Sequence, residues 1–260
     1  MSQPITTTLS TVPSLTRDGH RATIHFNRPA MHNRIEPPDI VELMRLMDQV
    51  DADRDMRVLV FTGSGKSFSS GFHIGEIGGG SGEGAPGFEE LTDRVEAVRV
   101  PTIAALHGGV YGGSTDLSLA CDFRIGVIGM GMFMPAAQLG LHYYPNGMRR
   151  YISRLGLDAA KRLFLTADRL EAEELFRIGF LTELVGPEDL MPRVDTLAAT
   201  LAANAPLAVQ GMKRALNAIA RGDADVAEIA ATAGRVRESA DLKEGQQAWA
   251  EKRLPRFSGR

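Results

Sequence analysis

The sequence contains very little cysteine, few aromatic residues and no excess of basic residues. Of its 260 residues, one is a cysteine, one is a tryptophan and 6% are aromatic. The single cysteine, Cys121, cannot form an intrachain disulfide or a cysteine-rich zinc site, and this favours a reducing compartment. The six histidines are scattered without paired-ligand spacing, so we expect no metal site.

Long apolar runs and strong charge are also missing. No run approaches the roughly 18 residues that a transmembrane helix needs. The first residues, MSQPITTTLSTVPSLTRDG, have neither the basic start nor the apolar core of a secretory signal. A net charge of −3 argues against a nucleic-acid binder with a strongly basic surface. We therefore expect a cytoplasmic protein with no nucleic-acid or membrane partner.

Strands and helices alternate through the first half of the sequence. Two short segments flanking Asp18-Gly19, residues 9–16 and 21–26, predict a hairpin. A helix is predicted from Pro37, with Ile40, Met44 and Met47 on one face, and another over residues 88–98. Strand-like apolar runs lie at residues 57–62, 102–106 and 123–128. This alternation predicts an α/β fold with parallel strands.

The second half has a different pattern. From Asn146 onward it is almost wholly helical, and Ala208, Met212, Ala215 and Ile219 share one helix face. We predict a core over residues 1–200 and a helical region over residues 201–260, with Lys213 and Arg214 on the polar face of a helix. Residues 75–87 (GEIGGGSGEGAPG) form a Gly/Ser-rich stretch, which is either a surface loop or a lid beside a site.

Two glycine-rich segments could carry chemistry. Residues 63–76 lack the phosphate-loop spacing, because Val60 stands where a glycine is needed, but they contain a tight turn at Ser70-Gly71-Phe72. Residues 107–116 (HGGVYGGSTD) lead into an apolar helix, Leu117–Ala120. Backbone N–H groups at two such strand ends could form an oxyanion hole. The glycines could equally serve close helix–strand packing, and spacing alone leaves both interpretations open.

Taken together, these segments resemble the enoyl-CoA hydratase/isomerase (crotonase) superfamily over nearly the whole chain. The matching stretches are ATIHFNRPAMHN (22–33), VLVFTGSGKSFSSGFHIGEI (58–77), PTIAALHGGVYGGSTDLSLACDFRI (101–125), QLGL (138–141), RIGFLTELV (177–185), APLAVQGMKRAL (205–216) and KEGQQAWAEKRLPRF (243–257). The resemblance implies a core of repeated β-β-α turns in a spiral and a C-terminal helical region that builds trimers, often paired as hexamers.

The resemblance also implies a ligand and the residues that bind it. The ligand is a coenzyme A thioester, which is a substrate, and no permanently bound cofactor is expected. The oxyanion donors fall on the backbone N–H groups of Phe72 and Gly113. Trp249 matches an aromatic residue that contacts adenine, and Lys252 matches a basic residue that reaches the nucleotide phosphate from a neighbouring subunit. The alternative is a solvated lysine beside a packing tryptophan.

The chain departs from the family pattern at two carboxylates. Hydratases of the family carry two glutamates, and these positions match Asp116 and Ala136 here. Tyr143 matches a tyrosine of methylmalonyl-CoA decarboxylase-like members, which also lack the second glutamate. We expect Asp116 to be the catalytic acid/base, walled by Phe72 and Tyr143, with Tyr143 as a second catalytic polar group. Otherwise Asp116 is an acid favoured at a helix start and Tyr143 part of an aromatic wall.

The residues leave the reaction itself open. The leading expectation is an acyl-CoA enzyme that stabilises a thioester enolate, of the enoyl-CoA hydratase or isomerase type. The alternatives are a decarboxylase or hydrolase of the same superfamily, or a non-catalytic acyl-CoA-binding protein. His73 replaces the aspartate usual after the first oxyanion donor, and we expect it to be a hydrogen-bonded structural residue.

Overall fold

The computed structural model describes residues 11–76 and 86–260. Within these ranges, ten strands form two sheets, and ten α-helices pack around them. The larger sheet has six strands in the order β1-β2-β3-β5-β7-β10, and the smaller has the order β4-β6-β8-β9. The expected α/β class is confirmed.

The strands are β1 (Ser14–Asp18), β2 (Arg21–Phe26), β3 (Val58–Gly63), β4 (Ser67–Ser69), β5 (Thr102–Leu106), β6 (Gly109–Tyr111), β7 (Phe123–Val127), β8 (Gly131–Phe133), β9 (Arg169–Glu171) and β10 (Glu183–Val185). The helices are α1 (Pro37–Ala52), α2 (Phe88–Ala97), α3 (Gly113–Ala120), α4 (Pro145–Leu155), α5 (Leu157–Lys161), α6 (Ala172–Arg177), α7 (Leu190–Ala203), α8 (Pro206–Arg221), α9 (Val226–Arg237) and α10 (Ala240–Glu251).

Three consecutive β-β-α units build the centre of the molecule. In β3-β4-α2, β5-β6-α3 and β7-β8-α4, the first strand joins the large sheet and the second joins the small one. Neighbouring strands of these units run parallel within each sheet. β5 is buried at every position, as its continuous apolar run predicts for a parallel strand covered on both faces. The repeated β-β-α turns place three strand-to-helix connections in succession along the chain.

The N-terminal hairpin is confirmed over its described part. β1 and β2 pair antiparallel, with Ser14 opposite His25. Gly19 in the turn has φ +55°, a conformation that glycine adopts without steric cost. The predicted first strand begins at Leu9, which lies outside the described residues, and the structure begins it at Ser14.

Five strands of three residues each were not located by the sequence pattern, namely β4, β6, β8, β9 and β10, and the last two lie in the part predicted to be almost wholly helical. β9 pairs antiparallel with β8, and β10 pairs parallel with β7, so each is an edge strand of its sheet. Each has three residues, which is too short to establish a period of two along the sequence. The predicted loop over residues 75–87 lies mainly outside the described residues. Within the described part, Gly87 precedes α2 as its N-cap.

The C-terminal helices leave large apolar side chains of their own exposed. The predicted face of α8 exists, but Met212 and Ile219 on it are 57% and 58% exposed. Other large apolar side chains in this region are also exposed, namely Leu216, Val226, Trp249 and Leu254. No helix in residues 11–76 or 86–260 is both long and apolar enough to cross a membrane.

Lys213 does not lie on the solvated polar face of α8, so the prediction was wrong for this residue, whereas Arg214 is exposed as predicted. Its ammonium donates to the Val100 carbonyl and contacts an Asp122 carboxylate oxygen, both at 2.8 Å, and its side chain is 8% exposed. α8 lies against the chain immediately before β5, where this carbonyl and carboxylate need a cation. Helical spacing identified the face of α8 but could not reveal an acceptor more than 90 residues away.

Candidate active site

A cavity of about 540 Å³ opens where the two glycine-rich segments meet the start of α4. Its wall includes four residues singled out by the sequence: Phe72, Gly113, Ala136 and Tyr143. Phe88 and Tyr144 also line it. The structure therefore brings together residues that are up to 71 positions apart in the sequence and that were proposed for one site.

Gly71 brings the first glycine-rich loop against the second. Its φ is +81°, and a Cβ there would lie 2.6 Å from the Tyr111 carbonyl oxygen and 2.7 Å from the Gly113 nitrogen. On either side of Phe72, the Ile35 N–H donates to the Gly71 carbonyl at 2.9 Å and the His73 N–H donates to the Ile35 carbonyl at 3.0 Å. These two bonds use alternate residues, so the Phe72 N–H faces the other way. It donates no hydrogen bond to any described residue.

The second free donor is the N–H of Gly113, the first residue of α3. An N–H in the first turn of a helix has no intrahelical partner, and this one has no acceptor among the described residues. The Phe88 ring packs over Gly113, where a Cβ would lie 2.6 Å from a ring carbon. The rings of Phe72 and Phe88 are 5.7 Å apart. Two adjacent unpaired donors at an apolar cavity can bind an oxygen on which negative charge develops.

Asp116 lies behind the cavity rather than in its wall. Its side chain is fully buried, and the Arg150 guanidinium donates to both carboxylate oxygens, from Nε at 2.9 Å and from Nη2 at 2.8 Å. The Tyr144 hydroxyl donates to Oδ2 at 2.6 Å. The sequence analysis expected Phe72 and Tyr143 to wall this carboxylate, whereas its direct partners are Arg150 and Tyr144. Asp116 is therefore an ion-paired carboxylate that reaches the cavity through a tyrosine.

Arg150 anchors the back of the site. It is 1% exposed, and it also donates to Asp93 at 2.7 Å and to the Thr92 hydroxyl at 2.8 Å. Burial lowers the pKa of Arg150, but its hydrogen bonds and charge interactions with Asp116, Asp93 and Glu96 outweigh this and raise the pKa. The guanidinium is consequently charged whenever the protein is folded.

Three tyrosines, Tyr143, Tyr144 and Tyr151, form a tyrosine cluster beside Asp116. The Tyr143 and Tyr144 rings stack with centroids 4.2 Å apart, and their hydroxyl oxygens are 3.0 Å apart. Since Tyr144 donates its proton to Asp116, Tyr143 donates to Tyr144. Burial, followed by the charge of Asp116, raises the pKa of all three phenols well above the ordinary value. They are therefore neutral hydrogen-bonding groups at physiological pH.

The sequence analysis assigned no role to Tyr144 and missed Arg150. Tyr144 lies beside Tyr143, and Gly147 makes room for the pair, because a Cβ there would lie 2.7 Å from the Tyr144 ring. Arg150 occupies the buried face of α4 between Gly147 and Tyr151. An arginine among small and aromatic residues at this spacing is a readable signal for a buried ion pair. The sequence does not reveal that its partner is Asp116, which lies 34 positions earlier.

The remaining candidates lie away from the reacting part of the cavity or have structural partners. His73 Nδ1 is 2.9 Å from a Glu36 carboxylate oxygen, which fits the structural role expected for it. Ala136 is 3% exposed and offers no proton-exchanging group. Trp249 is 89% exposed, and Lys252 follows α10 with φ +54°; neither residue lines the cavity. The described ranges contain no group of three His, Cys, Asp or Glu residues that could hold a metal ion.

Known proteins resemble this chain over nearly its whole length. The family profile described as Enoyl-CoA hydratase/isomerase matches residues 18–260. The chain is 34% identical to a crotonyl-CoA hydratase of Syntrophomonas wolfei over 94% of this chain and 96% of the relative. It is 30% identical to a short-chain-enoyl-CoA hydratase of Clostridium acetobutylicum, over 92% and 94% of the two chains.

A solved structure shows the same fold. The crystal structure of enoyl-CoA hydratase from Mycobacterium tuberculosis H37Rv superimposes with a TM-score of 0.86 at 30% identity, covering 96% of this chain and all of that one. The profile match spans nearly the whole chain and includes both loops that carry the unpaired N–H groups. The chain is therefore an enzyme of the enoyl-CoA hydratase/isomerase type and belongs to the enoyl-CoA hydratase/isomerase family.

Proposed function

We propose that the cavity binds the thioester group of an acyl-CoA and stabilises its enolate. The observation that carries this proposal is the pair of N–H groups of Phe72 and Gly113, which have no acceptor among the described residues and which Gly71 holds side by side. A thioester oxygen between them receives two hydrogen bonds that strengthen as it becomes an enolate oxygen. The surrounding rings of Phe72 and Phe88 exclude water, which makes each hydrogen bond worth more.

Asp116 and Tyr143 are the groups that move the substrate's α-proton in this proposal. Tyr143 accepts that proton while passing its own to Tyr144, and Tyr144 passes its proton to Asp116. The oxygen–oxygen distances of 3.0 and 2.6 Å suit such a relay. Before the reaction, the Tyr143 and Tyr144 phenols are neutral and Asp116 is an ionised carboxylate. The relay can therefore accept the substrate's α-proton at one end because Asp116 can take up a proton at the other.

Hydration or isomerisation of an enoyl-CoA is the reaction that the family relationship favours. Two relatives carry names that specify crotonyl-CoA and short-chain enoyl-CoA as substrates. Phe72 and Phe88 narrow the cavity beside the oxyanion donors. We therefore propose a short acyl chain, with crotonyl-CoA as the first compound to assay.

Two substitutions at Gly113 test the oxyanion role. Gly113→Pro removes the N–H, and the first helical position tolerates proline. Gly113→Ala keeps the N–H and is the matched control, because both substitutions add a Cβ against Phe88. We expect the proline variant to hydrate crotonyl-CoA about 10²–10³-fold more slowly than the alanine variant. Making both changes in a Phe88→Leu background relieves the contact between the new Cβ and the Phe88 ring. Equal rates of crotonyl-CoA hydration by the proline and alanine variants in that background would refute the proposal.

A second pair of variants tests the relay. Tyr144→Phe keeps the stacked ring but removes the hydroxyl between Tyr143 and Asp116. We expect it to slow exchange of the α-protons of butyryl-CoA in D₂O by about 10²-fold. Tyr151→Phe is the control, since that hydroxyl bonds Thr115 and takes no part in the relay. Equal exchange rates in the two variants would remove the tyrosines from the proton path.

Decarboxylation or hydrolysis is the second candidate function. Its specific support is Ala136, which leaves the cavity wall without a carboxylate at that position, together with Tyr143. A panel of enoyl-, malonyl- and β-ketoacyl-CoA substrates analysed by mass spectrometry separates the reactions. Hydration adds water, decarboxylation loses carbon dioxide, hydrolysis frees coenzyme A, and isomerisation leaves the mass unchanged.

We further propose that the chain works as a homotrimer or hexamer. The exposed apolar side chains of α8–α10 support this, as does the position of Trp249 and Lys252 away from their own cavity. In this arrangement the two residues bind the coenzyme A nucleotide at a neighbouring subunit's site.

The proposed boundary between core and helical region falls at Asn204–Ala205, because α7 continues through residue 200.

Lys252→Glu tests this arrangement. It should raise KM for crotonyl-CoA and leave the preference among acyl chains unchanged, since it acts on the nucleotide end of the substrate. A fully active monomer by light scattering would contradict the proposed assembly.

A further inference from the structure

Hydration needs a group that exchanges a proton with water at the β-carbon, and neither expected carboxylate position supplies one in the cavity wall. Ala136 has no such group, and Asp116 lies behind Tyr144 with both oxygens occupied. Three other glutamates line the cavity, Glu76, Glu89 and Glu90, and of these Glu76 and Glu90 are exposed. His142 at the rim is exposed, and its Nδ1 is 2.9 Å from the neighbouring Tyr143 carbonyl.

Glu89, the second residue of α2, lines this cavity and is half-buried. Its carboxylate accepts the Asn146 backbone N–H and forms no ion pair within 4.0 Å with any described residue. Glu90, by contrast, is exposed and accepts the Gly87 N–H at 3.0 Å, so it closes the start of α2. Each of the two neighbouring glutamates lines the cavity and accepts one backbone N–H, Glu89 from Asn146 and Glu90 from Gly87, but only Glu89 of the two is half-buried.

The position of Glu89 on α2 lies between the two parts of the proposed machinery. The residue before it, Phe88, packs over the oxyanion donor Gly113. One turn later on the same face, the Thr92 hydroxyl donates to the Glu89 carbonyl at 2.9 Å and lies 3.2 Å from the Tyr144 hydroxyl. Glu89 lines the same cavity as Tyr143 and Tyr144, and its carboxylate accepts the Asn146 backbone N–H at the start of α4.

We propose that Glu89 is the general acid/base for the oxygen at the β-carbon. This rests on the proposed function. In dehydration of a 3-hydroxyacyl-CoA, the Tyr143 relay takes the α-proton, the β-carbon–oxygen bond breaks, and Glu89 gives its proton to the departing hydroxyl, which leaves as water. In hydration, the steps run in reverse: Glu89 takes a proton from water as the oxygen bonds to the β-carbon, and the proton that Asp116 then carries passes through Tyr144 and Tyr143 to the α-carbon. The step ends with Glu89 protonated and Asp116 ionised.

The electrostatic surroundings suit this division. Burial raises the pKa of Glu89, and the nearby carboxylates of Asp93 and Glu90 raise it further, against smaller opposing effects of the Asn146 backbone N–H and the Arg150 charge. Asp116, in contrast, is held in a bidentate ion pair. Two carboxyl groups in such different environments can serve as acid and base in one reaction.

Glu89→Gln tests the proposal, because the amide oxygen can still accept from the Asn146 N–H but cannot exchange a proton. We expect it to lower kcat for both crotonyl-CoA hydration and 3-hydroxybutyryl-CoA dehydration by at least about 10²-fold, with KM changed less than about threefold. Glu90→Gln, the matched control, should stay within about threefold of the unchanged protein. Exchange of the butyryl-CoA α-protons in D₂O should persist in Glu89→Gln, because it uses only the relay and the oxyanion donors.

The outcomes separate this inference from the proposed function. Hydration within threefold of the unchanged protein, or an equal loss of hydration and α-proton exchange, would overturn the role of Glu89. If the unchanged protein shows neither α-proton exchange nor hydration, the proposed function itself fails. Should Glu89→Gln not fold, Glu89→Ser with added formate replaces it. Restored hydration there supports the proposal, and no restoration beyond that of Glu90→Ser opposes it.

Discussion

Replacing Arg150 by methionine is the sharpest test of the structure behind the cavity. The guanidinium donates to both Asp116 oxygens, to Asp93 and to Thr92, and it is 1% exposed. Methionine fills much of the same volume but leaves the fully buried Asp116 carboxylate without a counter-charge. Tyr144 alone would remain as its side-chain donor.

The expected loss is large compared with the stability of an ordinary domain. Breaking a buried ion pair by removing one partner costs about 3–5 kcal/mol, because the other charge stays buried and uncompensated. Asp93 contributes less to this loss, since its side chain is 37% exposed and water can solvate it. Against a typical unfolding free energy of about 5–15 kcal/mol, this is a substantial fraction.

Urea denaturation at fixed protein concentration measures the loss, and two variants control it. Arg45→Met removes the exposed ion pair with Glu42 and should change the midpoint little. In Arg150→Met/Asp116→Asn the buried charge is gone as well, so the double variant should be more stable than Arg150→Met alone. The reasoning is refuted if Arg150→Met is no less stable than Arg45→Met, or if the second substitution restores nothing.

The elements that the sequence predicted well are those with long apolar patterns. The strands near residues 57–62, 102–106 and 123–128 and the helix from Pro37 appear within one or two residues of the predicted ends. Their burial follows from hydrophobic periodicity, which is a local property of the sequence. β9 and β10 escaped because three residues carry no period, and β-pairing with distant strands determines them.

The site shows the same division between local and long-range information. Phe72 and Gly113 could be located from glycine-rich turns and from the family resemblance, since backbone donors depend mainly on local geometry. The environment of Asp116 could not, because it depends on α4 bringing Arg150 and Tyr144 to α3. Glu89 is the residue that the sequence could least reveal, because its neighbour Glu90 is of the same type. Only the packing of α2 over α3 distinguishes the proposed acid/base Glu89 from Glu90, which closes the start of α2.

Three further predictions concern stability. Gly71→Ala should destabilise the protein by at least about 1–3 kcal/mol and slow crotonyl-CoA hydration, because alanine resists φ +81° and its Cβ would meet the facing loop; unchanged urea stability and rate would contradict this. Lys213→Met should cost about 1–3 kcal/mol in the same assay, since it leaves the Val100 carbonyl and Asp122 without their cation; a stabilised variant would show that this ion pair is dispensable. Alkaline pH should destabilise the fold in two stages. Burial raises the pKa of Cys121 from its ordinary value of 9.0 to about 12, and the tyrosine cluster is shifted well above 10. The folded state therefore holds these protons when the unfolded chain releases them, so their stabilisation is complete below about pH 9 and is lost as the pH rises. Each group contributes a slope of about 1.4 kcal/mol per pH unit, from about pH 9 for the thiol and about pH 10 for each phenol. Urea titrations between pH 8 and 11 should show that the unfolding free energy falls more steeply above pH 10. Tyr151→Phe removes one of the four contributing groups and should reduce that slope by about a quarter. An unfolding free energy that does not fall above pH 10 would mean that these phenols ionise as readily in the folded protein as in the unfolded chain.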